Sequence, residues 1–532
     1  MRYVNDPRQS RLFDAFKEIL SPLAYKELLA GWQHLFRRTI LELMPVDTVK
    51  EHFDPAIGQP TKELYSMCGL VFIMEFKDWS AEEAAQAYMF HADIQYALNL
   101  APENQSLSSR TVERYKKLIV EDDLAGRIME EITASLVEKL QLNIKAQRLD
   151  STHVFSDMAQ FGRTRMMGVT IKRFLTQLRR HDAAAYEALP EEFRTRYQPS
   201  GYQLFGDTKK DADSRRLLRE QVARDMHDLI ERFADDQKHN TRSTFAMLVR
   251  VFNEQCEVIE DSIEIRNHPG GDVIQNPSDP DATRDGKKGP GYQVQLVETC
   301  GEENDVQLIT GAIAQTAVEH DSGAVEPILE QLEENGLTPE AMLADTAYGS
   351  DDNVQMCEDK GVELVSPTSG KKPADVDATN SDDFVVNEST GEVECCPRGE
   401  NPVESSRDDA TGQTLVVMDK RACAECPHRD GCPVKRRRDG RYEYWFTDKQ
   451  RRLDARRREE ATSVFRERYR KRSGIEATNS ILKRKTGLGR VRVRGRPSVF
   501  HSILLKVAGW NLLQAARALA MRRSSQIAVA LG

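Results

Sequence analysis

Three acidic residues in this chain stand in local sequences that could hold divalent cations. Asp150 follows the alternating segment 143–149, Asp345 follows the short apolar segment 341–344, and Glu476 lies in a strongly basic region. Carboxylate oxygens are the ligands that Mg²⁺ and Mn²⁺ prefer in proteins, and a pair of such ions can catalyse displacement at phosphorus. If the three residues meet in space, the chain could carry out metal-dependent chemistry on phosphate esters.

The spacing around Glu476 is the most informative of the three contexts. Tyr469, Arg472, Glu476 and Lys483 would share an arc of about 60° on one helix, because successive residues are separated by about 100°. One carboxylate among two cations and a phenol suits a metal ligand placed beside a phosphate backbone. The alternative is a solvated helix face with ion pairs between residues four apart.

The elements that would position the other two acids are strands. Residues 143–155 roughly alternate apolar and polar side chains, which predicts a half-buried strand ending at Asp150. A carboxylate in that place is costly to bury without a partner, and a bound cation would provide one. An ordinary carboxylate in a turn at the end of a strand is the alternative.

Further strands are predicted over 292–299 and 306–310, followed by a helix at about 324–335 and a buried strand over 341–345. Residues 361–366 could supply a fifth strand. Three strands, a helix and a strand, with carboxylates ending the first and fourth strands, is the order expected of a ribonuclease H-like fold. Adjacent central strands of its mixed five-stranded sheet would bring Asp150 and Asp345 together.

A chain of 532 residues predicts several domains within a multi-domain α/β protein. Residues 1–140 read as an all-α N-terminal domain, where Ser80 with Glu83 forms a capping box and a similar start occurs at 106–109. Two such helices are compatible with a helix-turn-helix, and an ordinary helical bundle is the alternative. The predicted remainder is a catalytic domain whose first part spans 141–366 with a helical insertion at about 160–265, an insertion over 367–450, and a C-terminal catalytic part over 451–532.

The distribution of charge points to nucleic acid. The chain carries a formal net charge of -10, yet residues 429–523 hold 28 Lys and Arg against 9 Asp and Glu. Such asymmetry within one chain is typical of contact with a polyanion. Arg490, Arg492 and Arg494 alternate with valines, so an extended segment would place their guanidiniums along one DNA strand. A solvated basic loop is the alternative.

The cysteines predict a structural zinc site. Cys423 and Cys426 have the spacing of two thiolates that reach one tetrahedral ion, and Cys432 with Cys396 completes four ligands. Cys395 competes with Cys396, His428 could also be a ligand, and thiols without metal remain an alternative. With no export signal and no apolar stretch long enough to span a bilayer, nine cysteines suggest a reducing, cytoplasmic compartment and no membrane partner.

Taken together, these segments resemble the prokaryotic insertion-sequence transposases of the DDE type that carry a Y-R-E-K signature. The resemblance depends on the cysteine cluster, on the spacing from Tyr469 to Lys483, and on the segments 149–153, 279–282, 291–294 and 344–349. It covers most of the chain. The helical stretch after Asp150 is longer than in many relatives.

The resemblance implies metal-dependent strand cleavage and strand transfer at terminal inverted repeats, by two Mg²⁺ or Mn²⁺ ions. Asp150 would bridge the ions, Asp345 and Glu476 would each bind one, and no protein nucleophile would act. Tyr469, Arg472 and Lys483 would grip phosphates or a displaced base.

Partners implied by the resemblance are double-stranded DNA, as element ends and as target, and a second protomer on that DNA. A location with the nucleoid in the cytoplasm follows from these partners. Two other functions compete with this one. They are a ribonuclease H-like nuclease without strand transfer, and a catalytically inactive, zinc-stabilised DNA-binding protein.

Overall fold

The chain forms a mixed α/β structure with one large mixed sheet and many helices. The structure is a computed structural model that describes residues 1–9, 14–103, 105–201, 203–206, 211–260, 262–370 and 378–531, with side chains up to residue 526. Within these ranges, no helix has both the length and the apolar content that crossing a membrane requires.

The chain up to residue 140 is helical. Its helices are α1 (Ala15–Ile19), α2 (Pro22–Ala30), α3 (Trp32–Leu35), α4 (Val46–Val49), α5 (Leu64–Phe76), α6 (Ala81–Phe90), α7 (Ala92–Ala97), α8 (Ser109–Glu121) and α9 (Ala125–Leu140). A π-helical turn, Phe36–Ile40, follows α3. The predicted capping box of Ser80 and Glu83 is confirmed at the start of α6. The second predicted start is capped by Ser108, whose hydroxyl accepts from the Thr111 N–H.

Strand β1 (Ala146–Val154) is followed by a helical insertion with a hydrophobic core of its own. The insertion contains α10 (Arg163–His181), α11 (Ala183–Glu187), α12 (Glu191–Arg196), α13 (Ala212–Phe233), α14 (Gln237–Asn240), α15 (Ser243–Gln255) and a hairpin of β2 (Cys256–Ile259) and β3 (Ser262–Ile265). The separate core explains how a long insertion can follow β1 without changing the sheet.

The remaining strands of the large sheet come after this insertion. They are β4 (Thr283–Asp285), β5 (Gly289–Thr299), β6 (Ile309–Thr316), β7 (Ala341–Leu343) and β8 (Glu363–Val365), with α16 (Val325–Glu334) before β7 and α17 (Asp351–Asp359) before β8. β5 is antiparallel to β1 and β6, whereas β7 is parallel to β1 and β8 is parallel to β7. The sheet has six strands because β4 pairs with the start of β5. The strand predicted over 306–310 begins instead at Ile309, since the preceding residues form the turn in which Thr299 N–H donates to Leu308 O.

The cysteine-containing insertion is mainly β-structure. It comprises β9 (Val385–Val386), β10 (Val393–Cys395), β11 (Glu404–Asp408), β12 (Gln413–Met418), α18 (Lys420–Ala424), β13 (Lys435–Arg436) and β14 (Tyr442–Thr447). Four of its strands form a sheet in the order β11-β12-β14-β13. A small core that includes Phe384, Val416 and Phe446 holds the insertion together.

The C-terminal region is again helical. It contains α19 (Asp448–Glu460), α20 (Ser463–Arg470), α21 (Gly474–Thr486) and α22 (Arg496–Leu531). α22 packs along α5 and α9 and against β6, and one hydrophobic core joins these helices to the large sheet. Asn511 at the middle of α22 fixes this packing, because its side chain bonds both the N–H and the carbonyl of Ile309 at 2.9 and 2.7 Å.

Candidate active site

Sheet register brings Asp150 and Asp345 to the same place. Arg148 in β1 is the last partner of β7 and pairs with Leu343. Both acids lie two residues beyond this pair, and because side chains alternate with a period of two they lie on the same side of the sheet. The sequence predicts that the strand ends at Asp150. This prediction is wrong, because antiparallel pairing with β5 continues to Val154.

Glu476 approaches from a helix that is interrupted. The sequence predicts one continuous helix from Tyr469 to Lys483, but a 3₁₀ turn, Lys471–Ser473, separates α20 from α21. The turn closes around Arg148, whose Nη1 donates to Lys471 O at 3.0 Å. Gly474 permits this close approach, since a Cβ there would lie 2.0 Å from Arg148 Nη1. The prediction of one continuous α-helix is therefore wrong, although Arg472 and Glu476 remain neighbours.

Arg472 gathers the three carboxylates. Its Nη2 lies 3.2 Å from Asp150 Oδ1 and 3.9 Å from Asp345 Oδ2, and its Nη1 lies 3.1 Å from Glu476 Oε1. Asn479 on α21 adds a bond from Nδ2 to Asp150 Oδ2 at 3.1 Å. Asp150 on β1, Asp345 in the loop after β7 and Glu476 on α21 thus converge on one guanidinium, and we call these three residues the acidic trio.

The electrostatics of the acidic trio follow from partial burial. Burial raises the pKa of Asp150, Arg472 opposes the rise, and the charge of Asp345 adds to it. Burial also acts to lower the pKa of Arg472, but the carboxylate of Asp150 leads a group of neighbours that raise it overall. The positive charge of Arg472 therefore favours the ionised form of Asp150 against the effect of burial.

The donor set of the acidic trio fits a hard divalent cation. Carboxylate oxygens match Mg²⁺ or Mn²⁺, and these three already converge on a positive charge. Across the described part of the chain, however, no three His, Cys, Asp or Glu side chains lie close enough to hold one ion as they stand. The guanidinium of Arg472 stands between the carboxylates and would have to move for an ion to enter.

A buried ion pair positions the helix that carries Glu476. Arg148 Nε donates to Glu298 Oε2 on the neighbouring strand β5 at 2.8 Å, and Thr478 Oγ1 on α21 donates to Glu298 Oε1 at 2.7 Å. The side chains of Arg148 and Glu298 are 12% and 2% exposed, so this pair is shielded from solvent. Sequence patterns did not indicate this pair, because its members are separated by 150 residues.

A second brace holds the loop that follows Asp345. Arg456 on α19 donates to Gly349 O at 3.3 Å and to Ser366 O at 3.2 Å, and Arg452 donates to Asp351 Oδ2 at 2.6 Å. Ser366 Oγ in turn donates to Asp345 O at 2.6 Å. Helix α19 therefore ties the cysteine-containing insertion to the Asp345 loop, a role that its arginine-rich sequence did not reveal.

The basic residues predicted to contact DNA divide into two groups. Arg492 Nε lies 3.2 Å from Asp78 Oδ2, and Arg494 Nη2 lies 2.8 Å from Asp157 Oδ2, although both arginines stay about half exposed. The backbone at Arg490 forms a parallel bridge to Phe155 just beyond β1, so this segment runs beside the end of a central strand. These pairs mean that Arg492 and Arg494 would have to exchange carboxylates for phosphates.

Lys483 and Tyr469 lie nearer to the acidic trio. Burial lowers the pKa of Lys483, Lys288 lowers it further, and Asp150 opposes both. Burial raises the pKa of Tyr469, whose ring stacks on Phe465 with centroids 5.8 Å apart. Both side chains are therefore close enough to the acidic trio to respond to its charges, and those of Asp150 and Asp345 raise the pKa of Tyr469 further while Arg472 lowers it.

Four cysteines line one cavity in the insertion. Cys396, Cys423, Cys426 and Cys432 surround a space of about 370 Å³ together with His428. Cys395 belongs to the adjacent strand β10. Burial, and then the three neighbouring thiols, raise the pKa of Cys423 to about 11. The residue types fit zinc, but as they stand in the described part of the chain these side chains do not lie close enough together to hold one ion.

Comparison with known proteins gives one family match. Residues 395–516 match a family model described as "Transposase DDE domain". The chain is similar to DDE transposases over this part. The matched range contains Glu476, Arg472 and the four cysteines of the cavity, and it excludes Asp150 and Asp345.

One solved structure is similar at a low level. It is described as "Cryo-EM structure of piggyBac transposase synaptic complex with hairpin DNA", with 9% identity over 68% of each chain and a TM-score of 0.24. A TM-score this low does not demonstrate a shared fold. No curated protein matches the chain.

Proposed function

We propose that this chain is a DNA transposase that cleaves and joins DNA strands at the ends of a prokaryotic insertion sequence. The observation that carries the proposal is the convergence of Asp150, Asp345 and Glu476 on one guanidinium. The match of residues 395–516 to a transposase domain supports the same conclusion independently. We also propose a ribonuclease H-like core, which the order β6-β5-β1-β7-β8 and the strand directions support.

In this proposal Asp150, Asp345 and Glu476 would hold two Mg²⁺ or Mn²⁺ ions, with Asp150 between them. Such ions, when bound, activate the attacking oxygen and stabilise the leaving oxygen at phosphorus. Arg472 neutralises the carboxylates before DNA arrives and would turn to a phosphate afterwards, because a guanidinium binds either anion bidentately. Lys483 would add a positive charge beside Asp150, and Tyr469 a ring on which a displaced base could stack.

The other regions have proposed roles as well. Residues 1–140 would form the domain that binds the element ends, and Arg490, Arg492 and Arg494 would contact backbone phosphates near the cut. We propose that two protomers bring two DNA ends together, and that the protein acts beside the nucleoid in the cytoplasm. The basic balance of residues 429–523 supports DNA as the partner.

Glu476→Gln tests the catalytic assignment. The amide keeps the shape of the side chain and loses its charge, so binding to end DNA should persist while Mg²⁺-dependent cleavage falls by at least a hundredfold. Glu467→Gln, which changes an exposed carboxylate on α20, is the matched control and should cleave normally. Cleavage by Glu476→Gln at the wild-type rate would remove Glu476 from the mechanism.

The same assay separates the competing functions. Paired end-containing DNA and a target plasmid should yield joined products if the chain is a transposase. Cleaved ends without joining would instead identify a nuclease. DNA binding without any nicking in Mg²⁺ or Mn²⁺ would identify a catalytically inactive DNA-binding protein.

We propose a structural zinc ion at Cys396, Cys423, Cys426 and Cys432. Their shared cavity supports the proposal, and their side chains would have to move for the sulfur atoms to close around the ion. Purified protein should contain one zinc per chain, and Cys426→Ser should lose it. Cys300→Ser, which alters a buried thiol in another core, should keep it. Equal zinc content in all three proteins, or none in the wild type, would contradict the site.

A further inference from the structure

A second basic site is formed by helices other than the one that carries Glu476. His34, Arg38, Lys139 and Arg523 line one cavity of about 100 Å³. They come from α3, the π-helical turn after it, the end of α9 and the C-terminal part of α22. The other described residues that line this cavity are uncharged. We call it the basic cavity.

Positive charge is concentrated in the basic cavity despite the negative charge of the whole chain. A neighbouring cavity of about 350 Å³ shares His34 and Arg38 and adds Arg37. Burial lowers the pKa of His34, and Arg38, Arg523, Arg37 and Lys139 lower it further. Among the described residues, no carboxylate lines the basic cavity itself. Asp14 and Glu42 each line one of the two adjoining cavities. An anion bound in the basic cavity would relieve this like-charge repulsion.

The fold holds these cations in place. Arg522 bonds Leu140 O at 3.0 Å and so fixes α22 to the end of α9, beside Lys139. Arg523 Nη1 donates to Leu29 O at 3.1 Å, which anchors the opposite wall. The π-helical turn buries Phe36 and Ile40 completely and carries Arg38 between them. The cavity is therefore formed by packed elements and not by a loose surface loop.

The size of the basic cavity selects the ligand. About 100 Å³ accommodates a single phosphate group and excludes a base or a sugar ring. Two guanidiniums and an ammonium can each donate to phosphate oxygens, and arginine does so bidentately. We propose that the basic cavity binds a backbone phosphate of duplex DNA at a contact separate from the cleavage site.

The position of the cavity agrees with a separate contact, and the assignment to DNA rests on the proposed function. Arg496, next to the basic segment 490–494, and Arg523 are 27 residues apart on α22, which corresponds to about 40 Å of helix. One turn of B-DNA is about 34 Å. A duplex that meets both ends of α22 would therefore extend more than a helical turn beyond the segment near the cut.

The test is a triple variant with Arg38→Gln, Lys139→Gln and Arg523→Gln. Its control removes three exposed charges that do not line the cavity, with Lys17→Gln, Lys26→Gln and Arg517→Gln. Affinity for an end-containing duplex of about 40 base pairs is measured against salt concentration. We expect the cavity variant to bind roughly tenfold more weakly than the control at low salt, with a salt slope smaller by about 1.

Two further measurements make the result decisive. Arg38→Lys with Arg523→Lys keeps the charge and should recover most of the affinity, and thermal unfolding confirms that each variant is folded. Equal affinity and slope for the cavity variant and the control would overturn the proposal. If inorganic phosphate stabilises the wild type, but not the cavity variant, while DNA affinity is unchanged, the cavity serves a free anion and the DNA assignment is wrong.

The proposed catalysis can fail separately from this inference. A wild-type protein that does not cleave DNA, but whose affinity falls in the cavity variant, would leave the phosphate contact standing and remove the transposase assignment. If the cavity variant still cleaves DNA at saturating DNA concentration, both the phosphate contact and the transposase assignment are supported, because the cavity then contributes to binding and not to chemistry.

Discussion

The two sides of the acidic trio are positioned in different ways. Asp150 and Asp345 are held by the backbone, because each follows the paired residues Arg148 and Leu343 at the same offset. Glu476 is held by side chains, through Glu298 and the turn that closes around Arg148. The exposed fractions of the three side chains, 15%, 36% and 64%, rise in the same order. The sheet thus provides a rigid pair of carboxylates, and α21, which also packs through Ile475 and Leu482, provides a third beside a buried ion pair.

Among the variants that test this difference, Arg148→Met should cause the largest loss of stability and of cleavage. The substitution leaves Glu298 buried without its cation, so the free energy of unfolding should fall by about 3 kcal/mol. Cleavage should fall further than DNA binding, because α21 loses its anchor while β1 and β7 keep their register. Urea unfolding and single-turnover cleavage measure the two effects.

A double-mutant cycle completes that experiment. Glu298→Gln alone, and Arg148→Met combined with Glu298→Gln, give the coupling energy between the two side chains. The double variant should be more stable than Arg148→Met, since it buries no unpaired charge. If the losses in free energy of unfolding of the two single variants simply added in the double variant, the ion pair would not stabilise the protein.

Gly474→Ala tests the same side of the site without removing a charge. The new Cβ would meet Arg148 Nη1, which Glu298 and Lys471 O hold in place, so we expect a loss of stability of about 1–3 kcal/mol. Gly126→Ala in α9 is the matched control. Nothing lies within 4 Å of its added Cβ, and it should stabilise the protein by about 0.5–1 kcal/mol. Similar thermal shifts for both variants would refute the close approach at Gly474.

Arg456→Gln probes the backbone-held side. Loss of the bonds to Gly349 O and Ser366 O should loosen the loop after Asp345 and lower stability by about 1–2 kcal/mol. Its effect on cleavage should be smaller than that of Arg148→Met, because sheet pairing still fixes Asp345. Lys449, on the same helix as Arg456, forms an exposed ion pair with Asp352 of α17, and Lys449→Gln should change stability and cleavage little. If it reduced cleavage as much as Arg456→Gln, the brace would have no special role.

Arg472→Gln should give the smallest change in stability. It tests the residue that contacts both the carboxylates held by the sheet and the carboxylate on α21. Without the guanidinium the three carboxylates repel one another, so added Mg²⁺ should raise the Tm of this variant by more degrees than that of the wild type. Calorimetry with and without Mg²⁺ measures the difference. An equal Mg²⁺ effect in both proteins would show that Arg472 does not compete with a cation for the trio.

Periodicity and local chemistry determined much of this protein. They indicated Asp150, Asp345 and Glu476, the capping box at Ser80, the strand β5 and the four cysteines that line one cavity in the insertion. Such features depend on residues that are near one another in sequence, so one chain is enough to predict them.

Only the tertiary structure decided how these pieces meet. The break between α20 and α21, the ion pair of Arg148 with Glu298 and the basic cavity all depend on residues that are at least 150 positions apart. A helical wheel extends Tyr469 to Lys483 as one helix because it contains no information about the arginine that packs against Gly474. Local sequence sets which side chains are available, and long-range packing sets which of them share a site.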